Sequence, residues 1–152
     1  MLRREHLVVD SKLETLLKVQ RWFKDLYESL ESELSWVITY CDRLNIAVAE
    51  GFTNAVRHAH AMMPSDTPIM IEVIFRGDRI EIFIWDQGTP FDPTQLVEPE
   101  PGSLLCDGGY GWFLLRRVAD QVMYYRKDSR NCLEIIQFAP KDQVLSTEQH
   151  NR

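Results

Sequence analysis

Apolar positions fall at three-and-four spacing in the first part of the chain and at alternate positions further on, a change of period that separates helix from strand. Residues 4–10 (REHLVVD) are β-branched in the middle and predict a first strand. Ser11-Lys12-Leu13-Glu14 has the S-x-x-E form of a capping box, which predicts a helix start there. Leu13, Leu16, Leu17, Val19, Phe23, Leu26, Tyr27 and Leu30 then mark the apolar side of an amphipathic helix suited to packing on a sheet. Glu31-Ser32-Glu33 interrupts this pattern only weakly, and a second helix is predicted to end near Ala61. The turn-rich run 62–68 follows, then strands at 69–75 and 80–85 joined by Arg76-Gly77-Asp78-Arg79 as a hairpin. Glu72 and Glu81 interrupt these strands in partial alternation, as expected of a sheet with one face against helices and one more exposed. The ends of the pattern are a strong helix after Gly111, strands at 121–126 and 133–138, and a polar tail from Lys141.

Residues 86–111 break the regularity. They hold five of the seven glycines and four of the seven prolines. An irregular segment of that length inside a compact domain is either a linker or a functional lid. It ends in Gly108-Gly109-Tyr110-Gly111 feeding a helix, where free N–H groups and the helix dipole converge to favour an anion. A second feature lies in the predicted second helix, where Glu50, Asn54 and His58 recur every fourth residue and so stack along one stripe. Ile46, Val48, Phe52 and Val56 surround them, residues that a core would claim. The stripe taken alone also fits the solvated face of an amphipathic helix. Gly51, beside it, is a poor helix residue and marks a close contact.

Composition narrows the classes. With 152 residues and 45% hydrophobic content, the pattern implies one domain over residues 1–140 with a tail at 141–152. There is no apolar run long enough for a membrane span, and the first ten residues lack the features of a secretory signal. The net charge of −6 argues against sequence-independent nucleic-acid binding. Cys41, Cys106 and Cys132 are odd in number and widely spaced, which fits a reduced, cytoplasmic protein. A zinc site from His58, His60 and a cysteine is disfavoured because residues two apart on a helix do not face each other; His60 reads as a solvated histidine. Arg116 and Arg117 read as an exposed helix face or as groups for a phosphate or an acidic partner.

Three stretches carry a more specific signal together than apart: Ala49-Glu50-Gly51-Phe52-Thr53-Asn54-Ala55-Val56-Arg57-His58, Trp85-Asp86-Gln87-Gly88-Thr89-Pro90-Phe91-Asp92 and Gly108-Gly109-Tyr110-Gly111-Trp112-Phe113-Leu114-Leu115. A D-x-G after a strand is often only a turn. In this order and setting, the three stretches resemble the ATP-binding superfamily that joins gyrase-type topoisomerases, heat-shock chaperones, sensor histidine kinases and mismatch-repair ATPases. Within it the chain is most similar to the bacterial anti-sigma-factor serine/threonine kinases, over roughly residues 5–139.

The resemblance implies an α+β fold: a two-layer sandwich with a mostly antiparallel sheet covered on one face by helices (the Bergerat-type ATP-binding fold). ATP would lie between the helices under a lid at 89–108. Asn54 would coordinate Mg²⁺, Glu50 would be the general base that takes the proton of an attacking serine, and Asp86 would accept a hydrogen bond from adenine. Gly88 would admit the base, Gly109 and Gly111 would serve the lid and the phosphates, and His58 would have a phosphate-side or structural role. The implied function is a cytoplasmic protein serine kinase that phosphorylates an antagonist (anti-anti-sigma) protein and sequesters a sigma factor by partner switching; a homodimer is also implied. One departure stands out. Ser129-Arg130-Asn131-Cys132-Leu133 occupies the place where the family carries a Gly-Thr pair whose threonine supports the adenine-binding aspartate. This opens the alternative of a partner-switching binding module with weak or no catalysis.

Overall fold

The computed structural model describes residues 2–90 and 110–142. The elements in order are β1 (Arg3–Asp10), α1 (Leu16–Glu28), α2 (Ser35–Asn54), β2 (Pro68–Phe75), β3 (Arg79–Asp86), α3 (Tyr110–Val118), β4 (Gln121–Lys127) and β5 (Arg130–Phe138). All strand pairs are antiparallel and the sheet order is β1-β2-β3-β5-β4. This is the α+β arrangement expected, with every predicted strand present. The predicted tail from Lys141 begins with two helical residues, and 143–152 lie outside the described residues.

Pairing register sorts the side chains onto two faces. Ile71 pairs with Ile84, Val73 with Ile82 and Phe75 with Ile80, while Ile82 and Ile84 pair onward with Ile135 and Leu133. Strand side chains alternate with period two, so these residues share one face, and all are buried. Val19, Phe23 and Leu26 of α1 and Val37, Leu44, Val48 and Phe52 of α2 complete the same core. The opposite face carries Val8, Met70, Phe83, Trp85, Tyr125 and Met123; Val8 is 53% and Met123 45% exposed. Glu72 and Glu81 are on this second face, as their placement in the strands predicted. Each carries an arginine: Arg4 reaches Glu72 at 2.7 Å and Arg76 reaches Glu81 at 2.7 Å.

The predicted capping box does not form. A short 3-10 turn at Leu13–Thr15 precedes α1, and Thr15 donates from Oγ1 to the Lys12 carbonyl at 2.7 Å. The threonine hydroxyl thus closes the turn through a carbonyl, and no side chain caps the first N–H groups of α1. Leu13 and Leu17 lie outside the core at 40% and 65% exposure, and Ile46 is likewise exposed. The helices are fastened to each other by polar contacts, with Tyr27 Oη donating to Asp42 Oδ1 at 2.7 Å and Asn45 Nδ2 to the Gln20 carbonyl at 3.3 Å.

Gly51 is the close contact predicted. A Cβ there would come within 2.5 Å of Ile84 Cδ1 and 2.8 Å of Leu133 Cδ2, so its absence lets α2 lie directly on β3 and β5. At the far edge, β4 and β5 are joined by two residues, Asp128 (φ 53°) and Ser129 (φ 62°). Two successive positive φ values are those of a type I′ turn, whose twist matches the strands but which favours Asn-Gly. Replacing Asp128-Ser129 by Asn-Gly is therefore expected to stabilise the fold by about 1 kcal/mol, read as a higher urea midpoint at unchanged slope. No gain would mean that the turn is not strained.

Candidate functional site

The second helix does not simply stop. After Asn54 the α-helical ladder passes into a π turn over Ala55–Ala59, closed by the His60 N–H to the Ala55 carbonyl at 2.8 Å. Such five-residue steps are rare and recur at functional sites. Glu50 and Asn54 are half-buried just before the π turn, and His58 is exposed within it. Neither the Glu50 carboxylate nor the Asn54 amide hydrogen-bonds to a described residue, which leaves both free for a ligand.

The predicted solvated histidine at position 60 is instead buried, at 3% exposure. The extra residue of the π turn carries the chain so that His60 meets the end of β3, where Gln87 N–H donates to His60 Nε2 at 2.8 Å. The adjoining Gly88 is pressed on the same helical segment. A Cβ at Gly88 would lie 2.5 Å from the Ala59 carbonyl oxygen, a backbone atom that cannot swing away. The D-x-G glycine is thus required here by close packing. Helix end and strand end, separate in sequence, are locked together.

Asp86, the last residue of β3, is buried at 3% exposure. A carboxylate in such a place needs donors, and three converge on it. Gly88 N–H donates to Oδ1 at 2.9 Å, Asn131 Nδ2 to Oδ1 at 2.9 Å and Tyr124 Oη to Oδ2 at 3.0 Å. Asn131 also donates to the carbonyls of Thr89 at 2.9 Å and Gly88 at 3.3 Å. Arg126 in turn reaches Asn131 Oδ1 at 3.1 Å and the Gly88 carbonyl at 3.2 Å. The Tyr124 hydroxyl is pushed far above its ordinary pKa, first by burial and then by Asp86, so it stays protonated and donates.

Asn131 answers the departure noted in the sequence. It faces Asp86 across the β3–β5 pair and supports the carboxylate from the strand where the family's threonine was missing. The sequence pattern did not single it out, nor Tyr124 or Arg126. The available signal was the strand register, since Asn131 is an amide at the start of a strand whose next core-facing residues are Leu133 and Ile135.

Gly111 lies in the first turn of α3, which packs beside α2 through the buried Leu115. Gly109 and the predicted lid fall within 91–109, outside the described residues. Arg116 and Arg117 are exposed. Among the described residues no group of three or more His, Cys, Asp and Glu could hold a metal ion. Burial raises the pKa of Cys41, and that of Cys132 to about 11, so neither is a reactive thiolate at neutral pH.

The carboxylate cage has a measurable worth. Asn131→Ala is expected to lower unfolding stability by about 2 kcal/mol and Tyr124→Phe by about 1 kcal/mol, because each removes a donor from a buried charged acceptor. Denaturant titration checks both; an unchanged midpoint in Asn131→Ala would show that the amide does not support Asp86.

Comparison with known proteins bears on the family and the fold. Residues 9–137 match the model of the histidine kinase-like ATPase domain. The serine-protein kinase RsbW of Staphylococcus epidermidis is 35% identical over 106 residues, covering 65% of this chain and 66% of the relative. RsbW of Listeria monocytogenes serotype 4a is 35% identical over 89 residues (54% and 56%), and that of Bacillus pumilus 31% over 99 residues (60% and 61%). The chain therefore spans between 56% and 66% of the length of these relatives. A solved structure of the RsbU and RsbW domains of a Mycobacterium tuberculosis protein superposes with a TM-score of 0.62 at 13% identity, covering 91% of this chain and 33% of that one. The sheet order of the fold, the D-x-G turn locked to the helix end and the match over most of the sequence lead to one conclusion: the chain belongs to the histidine kinase-like ATPase domain family.

Proposed function

We propose that this protein is an anti-sigma-type serine kinase that uses ATP and Mg²⁺ to phosphorylate a serine on an antagonist (anti-anti-sigma) protein and that sequesters a sigma factor by partner switching. The observation that carries the reading is the contrast between two ends of one site. Asp86 is held by three fixed donors and so rigidly aimed, with acceptor capacity left over, whereas Glu50 and Asn54 are polar, half-buried and uncommitted. The likeness to relatives named serine-protein kinase RsbW points the same way. In cells the protein would act in the cytoplasm; no described helix is long and apolar enough to cross a membrane.

Each residue has a task in this reading. Asp86 accepts the exocyclic amino group of adenine, which selects adenine over guanine because guanine presents an acceptor there. Gly88 lets the backbone approach the base. The amide oxygen of Asn54 is a hard donor of the kind Mg²⁺ prefers, with an unbonded side chain, and it would hold the ion with waters completing the shell. Bound Mg²⁺ supplies charge neutralisation for the transferred phosphoryl group. Glu50, one helical turn earlier, accepts the proton of the acceptor serine as its oxygen attacks. His58, exposed on the π turn, stands on the phosphate side, and the backbone at Gly109 and Gly111 offers N–H groups to the phosphates. A binding module without catalysis was suggested by the missing threonine; Asn131 removes that motive. A second copy of the chain is a further partner that the family resemblance implies, and the exposed apolar Val8 on the edge strand β1 offers it a contact. Val8→Glu should then shift the sedimenting species toward monomer, and an unchanged species would remove this contact from the dimer.

The test is transfer of label from ATP to candidate antagonist proteins. Glu50→Gln should lower the transfer rate by at least about a hundredfold while ADP affinity changes little. Asp86→Asn should instead abolish nucleotide binding. Equal transfer by wild type and Glu50→Gln would show that Glu50 is not the base.

A further inference from the structure

His60 has no part in the reaction proposed above, yet it is one of the few buried polar residues and the side chain that joins the two halves of the site. We propose that His60 is a positioning residue for the adenine-side turn: its Nε2 captures the Gln87 N–H and so holds Asp86, Gln87 and Gly88 against the end of the helix that carries Asn54. Three observations support this latch independently of the family. The Gln87 N–H to Nε2 bond is 2.8 Å long. Gly88 approaches the Ala59 carbonyl too closely for any side chain, so the turn has no slack with which to replace the bond. The π turn, closed through the His60 N–H itself, is what places the imidazole there.

The geometry also fixes the proton. A nitrogen that accepts a hydrogen bond cannot carry a hydrogen, so the ring is neutral and protonated on Nδ1. Nδ1 is buried and without a partner among the described residues, so little opposes release of the ring except the Gln87 bond and the surrounding packing. Of the charged groups around it, Asp86 on β3 favours protonation, but burial outweighs it and the pKa is lowered from 6.5; Arg57 and His58, on the same helical segment, are exposed. The folded form therefore prefers the neutral ring. The stability linked to this histidine is complete above pH 6.5 and is lost as pH falls from there toward the lowered value, because protonated Nε2 can no longer accept from Gln87.

The latch is tested on the unliganded, ¹⁵N-labelled full chain. The imidazole nitrogens should report the Nδ1–H tautomer, and the Gln87 amide should be protected from exchange at neutral pH and lose protection as the solution is acidified. His60→Gln places a non-titrating acceptor near Nε2, so it should keep the protection and remove its pH dependence. His60→Leu keeps the volume but not the acceptor, and should reduce protection of Gln87 at least about tenfold. An Nε2–H tautomer, or undiminished protection in His60→Leu, would overturn the proposal. Where the leucine variant does not fold, a pH dependence retained in His60→Gln would overturn it equally. The consequence for nucleotide rests on the kinase reading and is measured separately. His60→Leu should raise the ADP dissociation constant about fivefold to tenfold, with turnover at saturating ATP nearly unchanged, and His60→Gln should restore the affinity. If the wild type binds no ADP, the kinase reading fails while amide exchange still decides the latch.

Discussion

A carboxylate buried at the end of a strand is the constraint on which this site depends. Asp86 sits in the core layer, where an unpartnered charge would cost several kcal/mol, on the order of the whole stability of a domain this size. The fold meets that demand with donors from three places: the turn that follows Asp86, the middle of β4 and the start of β5. Because β4 and β5 come last in the chain, the carboxylate is satisfied only once the sheet is complete. The same donors fix its orientation. A group held by fixed dipoles can present a lone pair to a ligand without first reorganising.

Around this point the two layers are joined at unusually short range. Gly51 lets α2 lie on β3 and β5, and Gly88 lets the D-x-G turn touch the π segment that continues α2. The two glycines serve one purpose at successive levels, since both remove a Cβ where helix and strand meet. The π turn adds one residue to the helical ladder at the boundary between the α-helical Asn54 and the buried His60. Glu50 and Asn54 stay half-buried and unbonded, while His60 turns inward to hold backbone.

The two faces of the sheet divide labour in a way that follows from register. One face, from Val9 through Ile69, Ile84 and Ile135, forms the core with α1 and α2, and it ends in Asp86, the last residue of β3, and Asn131, at the start of β5. The site is therefore the polar end of an otherwise apolar face, and rigidity of the core passes directly to it. The other face keeps Glu72 and Glu81 beside arginines and leaves Val8 and Met123 in contact with solvent.

Periodicity by itself determined the helices, the strands and the antiparallel hairpins, because burial of one side of each element is written locally as a three-and-four or an alternate spacing. The motif stretches around Glu50, Asp86 and Gly111 likewise marked the candidate site, since each is contiguous in the chain. What tertiary structure alone decided were the partners. The expected capping serine gave way to a threonine that closes a 3-10 turn, and a histidine expected in solvent became the clasp between two motifs. Asn131, in the stretch where the resemblance leads one to expect a threonine, donates to Asp86, a residue opposite it in a strand 45 positions away. Periodicity reports which side of an element is buried; it carries no term for a hydrogen bond between residues far apart in sequence, and the site is built from such bonds.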